Sequence, residues 1–143
     1  MSDFGRPPKV ESPARPGSRQ WGKSKRLLKH ADFQKVYQDG RRQFTGNMTV
    51  FFLRRAEDSS PVIGRRVGFT VGKVLGGAVE RNRIKRRMRE AVRLSPAVWD
   101  GPIDVVFNPR KSVLTLPFAE LLSEVTRALR LAEQRARVAE PKR

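Results

Sequence analysis

The amino-acid sequence predicts a single α+β domain in which helices pack on a small mixed sheet. At 143 residues, the chain is long enough for one modest hydrophobic core but too short for two. Helical and strand patterns alternate in the order helix, strand, strand, helix, strand, helix. Because two strands are adjacent in sequence and the third follows a helix, a layered α+β sandwich is favoured over a bundle or a barrel.

The first helix is predicted over residues 29–40. Phe33, Val36 and Tyr37 follow the i, i+3, i+4 spacing of one apolar helix face, and an acid lies in the first turn. Gly40 is placed where a helix commonly stops.

Three short apolar segments predict strands. Residues 48–53 (MTVFFL) are rich in β-branched and aromatic side chains, and residues 67–71 (VGFTV) alternate large and small ones. We expect these two strands to pair as an antiparallel hairpin. Residues 103–107 (IDVVF) predict a third strand, which Asn108-Pro109 ends.

Two further helices are predicted, over residues 81–94 and 117–136, the first ended by Ser95-Pro96. Residues 1–24 hold four of the ten prolines and no apolar periodicity, which indicates a disordered basic arm. We therefore expect one domain over residues 25–136 and a flexible basic tail over residues 137–143.

The charge balance predicts a polyanionic partner. Lys and Arg number 31 against 14 acids, a formal net charge of +17. Apolar runs are far too short for a membrane span and no secretory pattern opens the chain, so nucleic acid is favoured over a membrane and a cytoplasmic location is expected. With no Cys, a single His (His30) and scattered acids, neither a metal site nor catalytic residues are predicted.

The strongest functional signal is residues 81–93, RNRIKRRMREAVR, with seven basic residues and one acid. On a helical wheel, an apolar arc suited to docking on a sheet is formed by Ile84, Met88, Ala91 and Val92. Basic residues cover the remaining circumference: Arg83, Lys85, Arg86, Arg87, Arg89 and Arg93. A solvated charged face would mix in more Glu, so the helix favours nucleic-acid binding, and its preference for Arg favours folded RNA.

Two weaker features each have two interpretations. Phe33, Tyr37, Phe51 and Phe52 are either all core side chains or, in part, a stacking cleft for single-stranded RNA. The glycine-bearing turn over residues 72–77 either brings backbone N–H groups to phosphate or is only a tight connection.

The segment GFTVGKVLGGAVERNRIKRRMREAVR resembles the RNR motif of the bacterial ribonuclease P protein family together with the strand and turn that precede it. RLLKHADFQKVYQDGRR is similar to that family's first helix, and DVVFNPRKSV with the helix after it is similar to the rest of the domain. The resemblance covers about residues 25–135.

The resemblance implies an α/β sandwich with a left-handed βαβ crossover, related to a domain of a ribosomal protein. It also implies two RNA partners: a large catalytic RNA and the precursor tRNA whose 5′ leader that RNA removes, with Mg²⁺ held mainly by the RNA. The protein would then be an accessory subunit of an endoribonuclease, with no obligatory protein partner.

The resemblance also assigns site residues. A leader-binding cleft is implied at Phe33, Tyr37, Phe51, Thr70 and Lys73, with Gly72 beside them. The helix facing RNA is implied to use Arg81, Asn82, Arg83, Lys85, Arg86 and Arg89, and Arg110 matches a basic residue after the last strand. The chain has Gly72-Lys73-Val74 where the family commonly has Ser-Lys-Lys, so it lacks one hydroxyl group at 72 and one cation at 74. Phe51 lacks a hydroxyl group, so a hydroxyl-mediated leader contact is absent there, whereas stacking on its ring is still expected.

Two alternative functions remain open from the residues alone. A ribosomal or RNA-chaperone protein would share the basic helix but would have no role in tRNA processing. A protein-only nuclease would require clustered acids, which the sequence lacks.

Overall fold

The computed structural model describes residues 30–56, 64–99 and 101–138. The predicted arm and the last five residues of the predicted tail lie outside these ranges. Within them, three helices and four strands confirm the α+β prediction. In chain order they are α1 (His30–Asp39), β1 (Arg41–Phe44), β2 (Met48–Arg54), β3 (Arg65–Phe69), α2 (Ala78–Arg93), β4 (Ile103–Pro109) and α3 (Phe118–Val138).

The strands form one mixed sheet in the order β1-β2-β4-β3. β4 pairs antiparallel with β2 and parallel with β3, and α2 lies in the crossover from β3 to β4. The predicted hairpin between the second and third of these strands is therefore wrong, because β4 lies between them. Residues 103–107 are buried throughout, including the charged Asp104, and burial of both faces is typical of a central strand.

Strand β1 was not predicted from the sequence. Its four residues, RRQF, are mostly charged or polar, and only Gln43 is buried. The Gln43 side chain donates a hydrogen bond to the Ala128 carbonyl of α3 at 3.0 Å. Because β1 is an edge strand with only one residue facing the core, its sequence carries almost no apolar pattern.

Helices α2 and α3 cover one face of the sheet, where the main core lies. That core includes Phe52, Phe107, Ile84, Met88 and Leu129. Helix α1 lies on the opposite face over a smaller cluster centred on Val36, Leu53 and Val106, with Phe33 and Phe51 packed at its edge. One face of the sheet therefore carries the main core, whereas the other carries the smaller cluster under α1.

Gly40 permits the close approach of α1 to the sheet. A Cβ atom at this position would lie 2.5 Å from the carbonyl oxygens of both Val36 and Phe52. Its N–H closes the helix by donating to the Val36 carbonyl at 2.9 Å. The predicted helix stop is correct, and steric exclusion of a side chain is the structural reason for glycine.

Candidate RNA interface

Helix α2 docks through the apolar arc that the sequence predicts. Ile84, Met88, Ala91 and Val92 are all buried. Asn82, Arg83 and Arg86 are exposed on the other side of the helix, and Arg81 and Arg89 are partly buried. Five of the six residues implied to contact RNA from this helix therefore retain a solvent-facing part.

Lys85 departs from the predicted ring of cations, because only 8% of the residue is exposed. Burial, together with the positive charges of Arg81 and Arg89, lowers the pKa of Lys85 to about 8. On the helical wheel, Lys85 lies outside the apolar arc. In the folded protein, its position on α2 is nevertheless buried.

Two other cations of the helix make contacts within the fold. The Arg87 guanidinium donates to the Leu116 carbonyl and lies 6.0 Å from the centre of the Phe118 ring, which joins α2 to the start of α3. Arg93 pairs with Glu90 at 2.5 Å one turn away, which raises the pKa of Arg93 and lowers that of Glu90. Both cations lie outside the apolar arc as predicted, with Arg93 exposed and Arg87 partly so, but each uses hydrogen-bond donors within the fold.

The turn before α2 contains a left-handed glycine. Gly76 has φ +130°, a conformation that side-chain-bearing residues rarely adopt. The Gly77 N–H donates to the Glu80 carboxylate at 3.0 Å, so an acid of the helix itself caps the first turn. The geometry favours the interpretation as a tight connection over that of a phosphate cradle.

Tyr37 is the centre of a polar and aromatic cluster on the α1 face of the sheet. Its hydroxyl group lies 2.6 Å from the Thr70 hydroxyl and donates to Asn108 Oδ1 at 3.1 Å. Its ring meets Phe51 edge-on, with 4.8 Å between ring centres. Tyr37 remains 37% exposed, so the ring is held in place and still reaches solvent.

The aromatic residues divide between the two faces of the sheet. Phe52 belongs to the main core, whereas Phe33, Tyr37 and Phe51 lie on the α1 face. Phe33 and Phe51 are half-buried against the small cluster around Val36. The interpretation of all four as core side chains is therefore wrong for Tyr37, which is 37% exposed, whereas stacking of RNA on this face stays a prediction.

The remaining predicted cleft residues follow β3. Thr70 is exposed and hydrogen-bonded to Tyr37, and Lys73 is exposed in a 3-10 turn, Lys73–Leu75. Nothing lies within 4 Å of the position that a Cβ atom of Gly72 would occupy. The structure thus brings Tyr37, Phe51 and Thr70 together, with Lys73 three residues beyond them.

Sequence reasoning missed three residues of this face. Asn108, interpreted only as a strand stop, is a hydrogen-bond partner of Tyr37. Arg42 and Phe44 are exposed on the unpredicted β1. The register of the sheet, which no local pattern encodes, is what places these residues beside the cleft.

Arg110 braces the turn between β1 and β2. Its guanidinium donates to the Gly46 carbonyl at 3.1 Å, and its backbone N–H donates to the Asn47 carbonyl at 2.9 Å. Arg110 is exposed despite these hydrogen bonds, so part of its side chain lies at the surface.

The buried carboxylates are engaged by cations and N–H donors. Asp104 pairs with Arg55 at 2.6 Å and with Arg66 at 2.8 Å, and Glu133 pairs with Arg65 at 3.0 Å. Across residues 30–56, 64–99 and 101–138, no group of three or more His, Asp or Glu side chains is arranged to hold a metal ion. In the same ranges, no helix has the length and apolarity needed to cross a bilayer.

Comparison with known proteins identifies the family. The family model for ribonuclease P matches residues 22–133, which is most of the chain. The chain belongs to the bacterial ribonuclease P protein family. The resemblance seen in the basic helix and its flanking segments is therefore confirmed.

Relatives and solved structures of the ribonuclease P protein family agree with this assignment. The chain is 34% identical over 113 residues to the ribonuclease P protein component of Finegoldia magna, covering 79% of this chain and 95% of the relative. It is 44% identical over 106 residues to that of Ruegeria pomeroyi, covering 73% and 82%. A Staphylococcus aureus RNase P protein structure has a TM-score of 0.67 at 27% identity, over 80% of this chain and 92% of that one.

A Thermotoga maritima RNase P protein has the same fold, with a TM-score of 0.63 at 24% identity, over 80% of this chain and 98% of that one.

Family membership makes the chain a subunit of a ribonucleoprotein endoribonuclease that processes tRNA. An RNA subunit and a tRNA substrate are the partners that this membership implies.

Proposed function

We propose that this chain binds the 5′ leader of precursor tRNA on the open part of the α1 face and binds the catalytic RNA of ribonuclease P through α2. The observation that carries the proposal is the Tyr37 ring, which is partly exposed and fixed by Thr70, Asn108 and Phe51. A fixed aromatic face is what a single-stranded base stacks on. Lys73, exposed three residues after Thr70, supplies positive charge for the phosphates.

Helix α2 supplies the second contact in this proposal. Asn82, Arg83 and Arg86 are exposed, and Arg81 and Arg89 are partly so. Because these cations lie within a few turns of one helix, a phosphate backbone placed against them releases counterions and offsets their mutual repulsion. Guanidinium groups also form forked hydrogen bonds to phosphate, which supports RNA docking along this helix.

The chemistry of cleavage is assigned to the RNA subunit. The resemblance implies that Mg²⁺ is held mainly by that RNA, and the carboxylates of Asp104 and Glu133 are already paired with arginines. No step through a metal is therefore assigned to the described side chains. In this proposal the protein acts in the cytoplasm, needs no further protein partner, and promotes endonucleolytic maturation by neutralising phosphate repulsion and positioning the leader.

The test is cleavage of precursor tRNA by the catalytic RNA at low Mg²⁺, with and without this protein. We expect stimulation that grows with leader length and that an unrelated basic protein does not reproduce. Phe33→Ala should weaken the binding of precursor more than that of mature tRNA. Tight RNA binding without leader-dependent stimulation would overturn the proposal and favour a general RNA-binding role.

A further inference from the structure

We infer that β1 carries a second stacking platform, formed by Arg42 and Phe44, for leader nucleotides farther from the cleavage site than those at Tyr37. The inference deepens the proposed function and rests on it. It extends the binding path from β3 across the whole sheet to the opposite edge.

Arg42 and Phe44 form an exposed cation–aromatic pair. The Phe44 side chain is 63% exposed, and the Arg42 guanidinium carbon lies 5.3 Å from the centre of its ring. An arginine stacked beside an aromatic ring offers a π face and a positive charge together, which is what a base and its phosphate require.

The register of the sheet places this pair on the same face as the Tyr37 cluster. Arg42 lies opposite Phe51, and Phe44 lies opposite Thr49. Side chains of directly opposed residues point to the same face of a sheet. Gln43, between the two, points the other way and donates to Ala128 of α3. Arg42 and Phe44 therefore share the α1 face with Phe51.

A row of residues crosses the sheet from Phe44 to Thr70. Phe44 pairs with Thr49 and Thr49 pairs with Asn108. The Thr70 N–H donates to the Phe107 carbonyl at 2.9 Å, which continues the ladder of β3 alongside Asn108. Three strand spacings separate the ends of this row, or about 14 Å. Four-stranded sheets that bind RNA stack two or three bases on such a surface.

The order along the path follows from the position of α2. Lys73 and the basic helix come directly after β3, whereas β1 is the opposite edge of the sheet. If α2 binds RNA near the cleavage site, nucleotides next to that site meet Thr70 and Tyr37, and more distant ones meet Phe44.

A second protein strand is a poorer occupant of this edge. Arg41 and Arg42 place two exposed charges on a strand of only four residues, and charged, short edges oppose strand addition. The same two charges attract phosphate. The observations therefore favour RNA over a second copy of the chain.

The experiment measures precursor affinity of the complex of this protein with the catalytic RNA, using leaders lengthened one nucleotide at a time. Phe44→Ala should weaken binding about fivefold once the leader is long enough to reach β1, and should have no effect on shorter leaders or on mature tRNA. Phe44→Tyr should restore affinity, and Arg42→Gln should give a smaller loss with the same length threshold.

Leu131→Ala is the matched control, because Leu131 is an exposed apolar residue of α3. Equal loss at every leader length, or no loss at any length, would overturn the platform. Tyr37→Ala, measured in parallel, separates the two proposals. If only Tyr37→Ala lowers precursor affinity in a way that depends on leader length, the platform is overturned and the proposed function stands. If the affinity of neither Tyr37→Ala nor Phe44→Ala depends on leader length, the proposed function is overturned as well.

Discussion

The hydroxyl groups of Tyr37 and Thr70 lie 2.6 Å apart and join α1 to the end of β3, 33 residues away in sequence. This bond, with the second one to Asn108, fixes the direction of the tyrosine ring. A ring that is already oriented loses less side-chain entropy when a base stacks on it, so these hydrogen bonds would preorganise Tyr37 for the stacking proposed above.

Tyr37→Phe should separate the role of the ring from that of its hydroxyl group. Removing the hydroxyl breaks two hydrogen bonds, which should lower the free energy of unfolding by about 0.5–1.5 kcal/mol. The ring and its edge-on contact with Phe51 remain, so leader binding should fall much less than in Tyr37→Ala. Urea denaturation and precursor binding measure the two effects. Equal binding losses in both variants would contradict a stacking role.

Arg83→Ala should reduce the salt dependence of RNA binding. Arg83 is exposed on α2, and loss of one phosphate contact lowers the slope of log affinity against log salt by about 0.7–0.9. Arg130→Ala, on the exposed side of α3, is the control and should leave the slope unchanged. Titrations at several salt concentrations provide the measurement. An unchanged slope for Arg83→Ala would mean that no phosphate lies against this residue.

Lys85→Met should stabilise the folded protein at neutral pH. The pKa of Lys85 is lowered from 10.5 to about 8, so the folded state binds its proton less well than the unfolded chain. The resulting destabilisation is complete below pH 8 and disappears as the pH rises towards 10.5. The melting temperature of Lys85→Met should therefore exceed that of the parent at pH 7, by a margin that shrinks at higher pH. A difference in melting temperature that stays constant with pH would contradict the lowered pKa of Lys85. A large loss of RNA affinity in Lys85→Met would show that Lys85 contacts RNA.

Glu124→Gln should loosen the turn between β1 and β2. The Glu124 carboxylate accepts from the Thr45 hydroxyl and from the Asn47 backbone N–H and side-chain amide, at 2.8 and 2.7 Å for the latter two. Burial alone raises its pKa, but these hydrogen bonds outweigh burial and lower the pKa below its usual value near 4.5. Replacing the carboxylate should cost about 1–3 kcal/mol of unfolding free energy.

The pH dependence of this cost has a definite sign. Because the folded pKa is depressed, the stabilisation by Glu124 is complete above about pH 4.5 and is lost as the pH falls through the folded pKa. The difference in unfolding free energy between the parent and Glu124→Gln should therefore shrink in acid. A difference that stays constant down to low pH would show that ionisation of Glu124 does not stabilise the turn.

The local patterns of the sequence determined the elements with a clear apolar period. The arc of Ile84, Met88 and Val92 predicted how α2 docks, since helical spacing alone puts these side chains on one side. The RNR segment carried the family resemblance. Strand β1 escaped prediction, because an edge strand with one buried residue has no periodicity to detect.

Only the tertiary structure decided which strands pair and which individual side chains are buried or hydrogen-bonded. β4 lies between β2 and β3 with residues of both its faces buried, and the burial of Asp104 there depends on Arg55 and Arg66, which lie far away in sequence. The burial of Lys85 and the approach of Thr70 to Tyr37 depend likewise on residues distant in sequence. The sequence determined the helix faces and the charge of this protein, whereas long-range packing decided which charged groups and aromatic rings remain exposed to solvent.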